Sequence, residues 1–362
     1  MTSAITRLAD FGQSPWYDNL TRDLLERGEL RRLIEEDGIR GVTSNPTILE
    51  KAMSQGHAYD EQLREVAEHG SIEDGYWELV ERDIAAAADL LRPVHEQLAA
   101  ADGFVSLEVS PDLAHDTAGT IDAARTLFER LGRANVMIKI PGTREGLPAI
   151  EASLAAGINV NVTLIFSLGR YDEVVDAFMT GLERRAAAGH DIARLGSVAS
   201  FFVSRVDTET DRRLPDGDPR RGKLAVANAK LVYQRFLERF SGSRWEALTD
   251  RGARVQRPLW ASTSTKNPAY SDTMYVDELV GRDTVDTLAQ ASIDALHDHG
   301  DPKPDTILTG LEDAVHLLGE LEAAGVDYDD VTATLEREGV ESFARSYHDG
   351  LQTLEKRAAE FT

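Results

Sequence analysis

Short apolar runs alternate with longer amphipathic stretches along most of the 362 residues of this chain. An apolar run bounded by turn residues predicts a buried strand, and apolar positions three or four residues apart predict a helix. Strands are predicted at 8–19, 41–46, 103–109, 135–141, 158–166, 196–206, 257–265 and 305–310. Helices are predicted at 20–37, 48–68, 75–100, 118–133, 145–156, 168–188, 222–240, 283–298, 311–324 and about 329–359.

Eight strands that alternate with helices predict a parallel sheet. The number eight favours a closed (β/α)8 TIM barrel with additional helices, including a long C-terminal helix. An open doubly wound sheet is the alternative, but no glycine-rich phosphate loop or dinucleotide fingerprint follows any predicted strand. No linker-like segment divides the chain, so we expect a single domain over residues 1–362. The segment 207–222 is predicted to be a polar surface loop.

Composition narrows the range of functions. The chain has no cysteine, which excludes disulfides, zinc–thiolate sites and thiol nucleophiles. A net charge of −24 argues against nucleic acid as a partner. Because no signal-peptide pattern or long apolar segment is present, we expect a cytoplasmic protein without membrane contact. The nine histidines form no metal-binding pair, so no metal site is expected.

One lysine stands in an unusual place. In the segment 135–143, NVMIKIPGT, Lys139 lies between apolar residues of a predicted strand that ends at a Pro-Gly turn. Burial favours the neutral form of an amine, and a neutral amine can attack a ketone to form a Schiff base. The alternative is a lysine at the strand edge whose ammonium group reaches solvent.

Two carboxylates lie near the ends of predicted strands. Glu108 has apolar residues on both sides, so its burial is costly unless it is paired, and Lys139 would be a suitable partner. Asp18 follows a Trp-Tyr pair; it is a candidate acid/base group or the cap of a helix that starts near Leu20. Together with Lys139, these residues suggest carbonyl chemistry through an amine nucleophile.

Other polar side chains lie at the ends of predicted strands. In TSNPT, Asn45 is expected to cap a helix that starts at Pro46, which is compatible with a second role facing a ligand. Thr163 and Ser200 are either pocket hydroxyls or core hydroxyls that are satisfied by the protein.

Two cations are candidate contacts for an anionic substrate. A chain with a strong net negative charge needs dedicated cations to bind an anion, and Arg205 and Lys266 both follow predicted strands. Arginine is suited to bidentate recognition of phosphate. Lys266, in the segment STSTKNP, is equally consistent with a surface loop.

With these residues assembled, the chain resembles the transaldolase family, and in particular its longer bacterial subfamily. Residues 41–63, GVTSNPTILEKAMSQGHAYDEQL, are similar to the first signature of the family. Residues 135–167, NVMIKIPGTREGLPAIEASLAAGINVNVTLIFS, are similar to the second signature, which carries the Schiff-base lysine. The segments 104–117, 197–207 and 258–276 extend the resemblance in consistent order.

The resemblance implies a (β/α)8 barrel, no cofactor and small sugar phosphates as substrates. The implied reaction moves a dihydroxyacetone unit from sedoheptulose 7-phosphate or fructose 6-phosphate to glyceraldehyde 3-phosphate or erythrose 4-phosphate. The implied roles are nucleophile for Lys139, acid/base for Asp18, imine formation for Glu108 with Thr163 and water, dihydroxyacetone binding for Asn45 and Ser200, and phosphate binding for Arg205.

The chain departs from the family pattern at two places. Ser204 stands where a glycine usually precedes the phosphate-binding arginine. After the seventh strand, STSTK replaces an arginine found in many members, so the second phosphate contact stays open among Ser262, Ser264 and Lys266.

Two other functions also stay open, an aldolase that releases free dihydroxyacetone and a non-catalytic barrel that binds sugar phosphates. A monomer and a homodimer are both compatible with the sequence.

Overall fold

The structure, a computed structural model, describes residues 3–54, 57–69 and 71–361. Eight parallel strands close into a barrel in chain order, with the last strand beside the first. The strands are β1 (Gln13–Tyr17), β2 (Gly41–Val42), β3 (Phe104–Glu108), β4 (Val136–Pro141), β5 (Val160–Ile165), β6 (Ser197–Phe202), β7 (Arg257–Ala261) and β8 (Thr284–Leu288). The predicted (β/α)8 barrel is therefore confirmed.

Helices surround the barrel. They are α1 (Ala4–Asp10), α2 (Arg22–Glu26), α3 (Glu29–Glu36), α4 (Pro46–Ser54), α5 (Asp60–His69), α6 (Ile72–Gln97), α7 (Thr117–Leu131), α8 (Gly146–Ala156), α9 (Leu168–Ala187), α10 (Ser204–Arg213), α11 (Leu224–Arg239), α12 (Ser243–Thr249), α13 (Met274–Glu278), α14 (Gln290–His299), α15 (Leu311–Ala323) and α16 (Tyr328–Ala359). In the predicted helix 48–68, residues 55 and 56 lie outside the described residues. No described helix is both long and apolar enough to cross a membrane.

The central strands are buried on both faces. Every residue of β4 and β5 is buried, since side chains point alternately into the barrel and towards the surrounding helices. This is why these strands are nearly continuous apolar runs in the sequence, as parallel strands covered on both sides generally are. A polar residue in such a strand, such as Lys139 or Asn161, therefore has to find its partners inside the protein.

The predicted position of the eighth strand is wrong. The segment 305–310 contains a short 3₁₀ helix, Thr306–Leu308, whose Ile307 is buried against the core. The strand β8 lies instead within the predicted helix 283–298. This strand is only five residues long and has Asp286 at its centre, so the apolar residues that follow extended the helical pattern back over it.

The sixth strand is shorter than predicted, and part of the predicted loop is helical. The strand β6 ends at Phe202 and α10 begins at Ser204, so the predictions of a strand to 206 and a loop over 207–222 are wrong in part. The helix was missed because its sequence is mostly polar. Glu209 forms ion pairs with Arg212 and Arg213, at the spacings that support a helix without a wide apolar face.

The last helix crosses the C-terminal end of the barrel. The helix α16 contacts α4, α5, α6 and α10, and also reaches β5. Gly339 favours its close approach, because a Cβ atom at that position would lie only 3.0 Å from Leu164 Cδ2. Further along the helix, the Tyr347 hydroxyl donates a hydrogen bond to Glu73 at 2.9 Å. The helix therefore lies over the end of the barrel at which the polar strand ends meet.

A buried carboxyl group lies at the centre of β8. Thr263 Oγ1 donates a hydrogen bond to Asp286 Oδ1 at 2.9 Å, while Asp286 Oδ2 has no partner among the described residues. Burial raises the pKa of Asp286 to about 7. The ionised form of this side chain is therefore unfavourable in the folded protein.

We predict that Asp286→Asn increases stability at pH 8.5 and has little effect at pH 4. Between about pH 4 and 7 the folded protein holds a proton here that the unfolded chain has lost, so the stability of the native protein falls as pH rises. The gain at pH 8.5 should be on the order of 4 kcal/mol. Urea unfolding at both pH values measures it, and Asp10→Asn is the exposed control. An equal effect of Asp286→Asn at both pH values would contradict the prediction.

Candidate active site

A small polar pocket lies inside the C-terminal end of the barrel, below α16. We call it the inner pocket; its volume is about 70 Å³. It is lined by Asp18, Thr43, Asn45, Lys139, Thr163, Ser200, Phe202, Arg205, Leu259, Ala261, Ser262, Thr287 and Phe343. Seven of the nine predicted site residues line this pocket, and the exceptions are Glu108, which lies behind Lys139, and Lys266, which lies outside.

The lysine and the glutamate are neighbours on adjacent strands. Glu108 and Lys139 are register partners in β3 and β4, and the Lys139 Nζ atom lies 3.2 Å from Glu108 Oε2. The same Nζ donates a hydrogen bond to the Ser44 carbonyl oxygen at 3.0 Å. Both side chains are almost fully buried, so the alternative of a lysine that reaches solvent is wrong.

The surroundings of Glu108 favour its protonated form. Burial raises the pKa of Glu108, although the positive charges of Lys139 and Arg205 oppose this change. No described residue donates a well-aligned hydrogen bond to either carboxylate oxygen, so the contact with Lys139 is mainly electrostatic. A carboxyl group with a raised pKa next to an amine can pass a proton to or from it.

Asp18 follows β1 and faces the same pocket. Its carboxylate accepts a hydrogen bond from Thr43 Oγ1 at 2.7 Å. Burial raises the pKa of Asp18, and the Thr43 hydrogen bond is the largest of the opposing effects. The next helix, α2, is capped by Thr21, so the alternative of Asp18 as a helix cap is wrong.

Asn45 caps a helix and lines the pocket at the same time. Its Oδ1 atom accepts a hydrogen bond from the Ile48 backbone N–H at 3.0 Å, at the start of α4. The predicted capping role is confirmed. Because the cap uses only the oxygen, the amide nitrogen of Asn45 stays available to a ligand.

A chain of hydrogen bonds crosses the floor of the pocket. Ser200 Oγ donates to Asn161 Oδ1 at 2.7 Å, and Asn161 Nδ2 donates to Ser106 Oγ at 3.0 Å. Asn161 is the register partner of Lys139 on β5. It is not among the predicted site residues, although its position two residues before Thr163 in an apolar strand was a usable signal.

The backbone of β5 is irregular beside the pocket. The pairing of β5 with β6 shifts register between Val162 and Ile165, and Leu164 adopts a φ of +58°. Such irregularities change the direction of a side chain and are frequent at active sites. Thr163 Oγ1, just before the irregular residue, is buried without a hydrogen-bond partner among the described residues. Its hydroxyl group is therefore available to a ligand or a water molecule.

Arg205 lies in the first turn of α10, held between two aromatic rings. Its guanidinium carbon lies 5.1 Å from the centre of the Phe202 ring and 5.7 Å from that of Phe343. Burial lowers the pKa of Arg205, and Asp18 and Glu108 oppose this change. Within the described ranges no carboxylate forms an ion pair with Arg205, so its charge can serve an anionic ligand.

The residues after β7 are divided between two spaces. Ser262 has a φ of +59° and lines the inner pocket, where its hydroxyl lies 2.9 Å from that of Ser204. Ser264 instead lies 3.3 Å from Ser292, hydroxyl to hydroxyl. Lys266 is exposed and is not brought into the inner pocket. It lines a neighbouring cleft.

We call this second space the outer cleft; its volume is about 580 Å³. It is lined by Arg205, Thr208, Glu209, Lys266, Leu335, Glu338, Gly339, Glu341, Ser342 and Arg345. Arg205 lines both spaces, so the outer cleft and the inner pocket meet at this side chain.

Phe343 is the site residue for which the sequence carried no signal. It belongs to α16, is 2% exposed and lies with its ring centre 5.8 Å from Lys139 Nζ. In the sequence it is one apolar residue of an amphipathic helix, with nothing to distinguish it from residues that pack against the barrel.

Comparison with known proteins agrees with this geometry. The model of the family described as transaldolase/fructose-6-phosphate aldolase matches residues 15–354. The chain belongs to the transaldolase/fructose-6-phosphate aldolase family. A protein named transaldolase from Saccharopolyspora erythraea is 50% identical over 359 residues, covering 98% of each chain. Another with the same name, from Thermobifida fusca, is 50% identical over 368 residues, covering the full length of both chains.

In this family member, the packing at the end of the strand that carries Lys139 depends on a glycine in the following helix. A Cβ atom at Gly146, the first residue of α8, would lie 2.1 Å from the Pro141 carbonyl oxygen. Pro141 ends β4 two residues after Lys139. The approach of α8 to the end of β4 therefore requires glycine at position 146.

We predict that Gly146→Ala lowers the free energy of unfolding by about 1–3 kcal/mol, since backbone atoms must shift to accept the extra methyl group. Thermal unfolding measures the loss. Gly319→Ala is the matched control, because this helical glycine has no atom within 4 Å of an added Cβ. The control should be neutral or stabilising. Equal unfolding temperatures for the two variants would show that β4 and α8 tolerate the methyl group.

Proposed function

We propose that this chain is a transaldolase of carbohydrate metabolism. It transfers a dihydroxyacetone unit from fructose 6-phosphate or sedoheptulose 7-phosphate to erythrose 4-phosphate or glyceraldehyde 3-phosphate, through a Schiff base on Lys139. The observation that carries the proposal is the buried Lys139 amine, 3.2 Å from one carboxylate and in one pocket with a second. Membership of the transaldolase/fructose-6-phosphate aldolase family supports it.

In the first step, the free amine of Lys139 attacks the ketone carbon of the donor sugar. The resulting carbinolamine loses water to form the protonated imine, which requires proton transfer to the departing hydroxyl group. Glu108 is the group proposed to transfer this proton, because it adjoins Lys139 and has a raised pKa. We assign the unpartnered hydroxyl of Thr163 to the water molecule that takes part.

In the second step, Asp18 takes the proton from the C4 hydroxyl group of the bound sugar. The C3–C4 bond then breaks, and its electron pair moves into the protonated imine to form an enamine on Lys139. The aldose phosphate leaves, and the enamine attacks the carbonyl carbon of the acceptor by the reverse of these steps. Asp18 returns the proton to the new hydroxyl group.

The remaining pocket residues bind the two ends of the substrate. Asn45 and Ser200 are proposed to hold the hydroxyl groups of the dihydroxyacetone unit, and Arg205 the phosphate group. Ser262, which lines the inner pocket together with Arg205, is a proposed second contact. Lys266 is proposed to act from the outer cleft, where it shares the wall with Arg205.

Borohydride reduction in the presence of fructose 6-phosphate tests the nucleophile directly. We predict a dihydroxyacetone-derived adduct on Lys139, located by peptide mass mapping. Lys139→Arg should give no adduct and no turnover, because a guanidinium group stays protonated and forms no imine. Lys266→Arg is the matched control and should keep the adduct. An adduct on Lys266, or none in the unmodified chain, would overturn the mechanism.

We also predict a change in pH dependence for Thr43→Val. Valine keeps the shape of threonine but removes the hydrogen bond that lowers the pKa of Asp18. Because the base must be ionised, activity is lost as the pH falls through this pKa, and the acidic limb of the pH–rate profile should move up by about 1 unit. If the acidic limb of the pH–rate profile of Thr43→Val lies at the same pH as that of the unmodified chain, another group controls it.

A fructose-6-phosphate aldolase that releases free dihydroxyacetone is the second candidate function, because the matched family includes such enzymes by name. The assay supplies fructose 6-phosphate with and without erythrose 4-phosphate. A transaldolase needs the acceptor for continued turnover, and an aldolase does not. A non-catalytic barrel that binds sugar phosphates would give turnover in neither case, and no borohydride adduct.

A further inference from the structure

We propose that Phe343 keeps water and proton donors away from the enamine on Lys139, and so determines that the dihydroxyacetone unit is transferred rather than released. This inference rests on the proposed transaldolase function and assigns a specificity-determining residue to it. Phe343 comes from α16 and is the part of that helix that lines the inner pocket.

The geometry places the ring over the reacting groups. Its centre lies 5.8 Å from Lys139 Nζ and 5.7 Å from the guanidinium carbon of Arg205. The ring is 2% exposed, so it closes the side of the pocket that faces α16. An aromatic ring cannot donate an acidic proton, and it occupies space in which water would otherwise be ordered.

The inner pocket beside the ring is small. Its volume of about 70 Å³ holds only a few water molecules, and the large outer cleft meets it at Arg205. The ring therefore seals a space in which little water can be ordered.

The chemistry makes this seal important at one stage. After the aldose phosphate has left, the enamine carbon can bond to the carbonyl carbon of the acceptor, which is transfer. If that carbon instead takes a proton, the protonated imine is restored; water then adds to the imine carbon and the C–N bond to Lys139 breaks. The products are free dihydroxyacetone and the regenerated amine, and no oxidant or reductant is consumed.

Contacts along α16 hold the ring in this position. Gly339, one turn before Phe343, lets the helix approach Leu164, and the Ser346 hydroxyl lies 2.8 Å from that of Thr47 on α4. The helix is thus fixed on both sides of Phe343. The ring also completes the aromatic sandwich of Arg205 with Phe202.

The test measures two products from one reaction of fructose 6-phosphate with erythrose 4-phosphate. Free dihydroxyacetone and sedoheptulose 7-phosphate are quantified together, and their ratio is compared among variants. Phe343→Ala should raise the ratio of released to transferred dihydroxyacetone at least 10-fold. Phe343→Leu keeps apolar bulk and should restore a ratio near that of the unmodified chain. Because leucine offers no aromatic face to Arg205, it should still raise KM for fructose 6-phosphate.

Leu354→Ala is the matched control. Leu354 is buried on the same helix but lines neither the inner pocket nor the outer cleft, so its loss loosens α16 without opening the site directly. Its product ratio should stay unchanged. A ratio in Phe343→Ala equal to that of the unmodified chain, or an equal rise in Leu354→Ala, would overturn the role of Phe343. Failure of the unmodified chain to require an acceptor would instead refute the transaldolase function itself.

Discussion

A lysine and a glutamate that lie side by side in the interior of a barrel determine which polar groups must surround them. Glu108 and Lys139 share a register position on β3 and β4, 3.2 Å apart and nearly without solvent. Burying a carboxyl group and an amine together is costly unless further polar groups compensate for the lost water. The Ser44 carbonyl oxygen and the charge of Arg205 provide part of this compensation. The polar residues of the pocket therefore stabilise the nucleophile as well as a substrate.

Most of the barrel could be predicted because its central strands carry a strong local signal. The strands β3 to β7 are apolar runs that are buried on both faces, and the helices between them show clear periodicity. The failures lie where that signal is weak. The strand β8 is short and contains Asp286, and α10 is a polar helix supported by the ion pairs of Glu209. The strand depends on its pairing with β1 and β7, which no local pattern records, and the helix lacks the apolar periodicity by which helices are predicted.

The site was predictable to the extent that it is built from strand ends. Lys139, Glu108 and Asp18 each stood out as charged residues next to apolar runs, and parallel strands in a barrel bring such ends together. Phe343 could not be found in this way, because its role depends on where α16 docks. Lys266 illustrates the opposite error. It closely follows a strand in the sequence, but the structure does not bring it into the inner pocket.

The helix α16 follows all eight strands in the chain, which gives the site an order of assembly. The barrel residues that surround Lys139 are made first, and the residue that covers them is made later. Its docking surface on α4 and α6 also precedes α16 in the chain. A barrel to which α16 has not docked therefore lacks the ring that covers the Lys139 amine. Docking of this helix and covering of the nucleophile are one event.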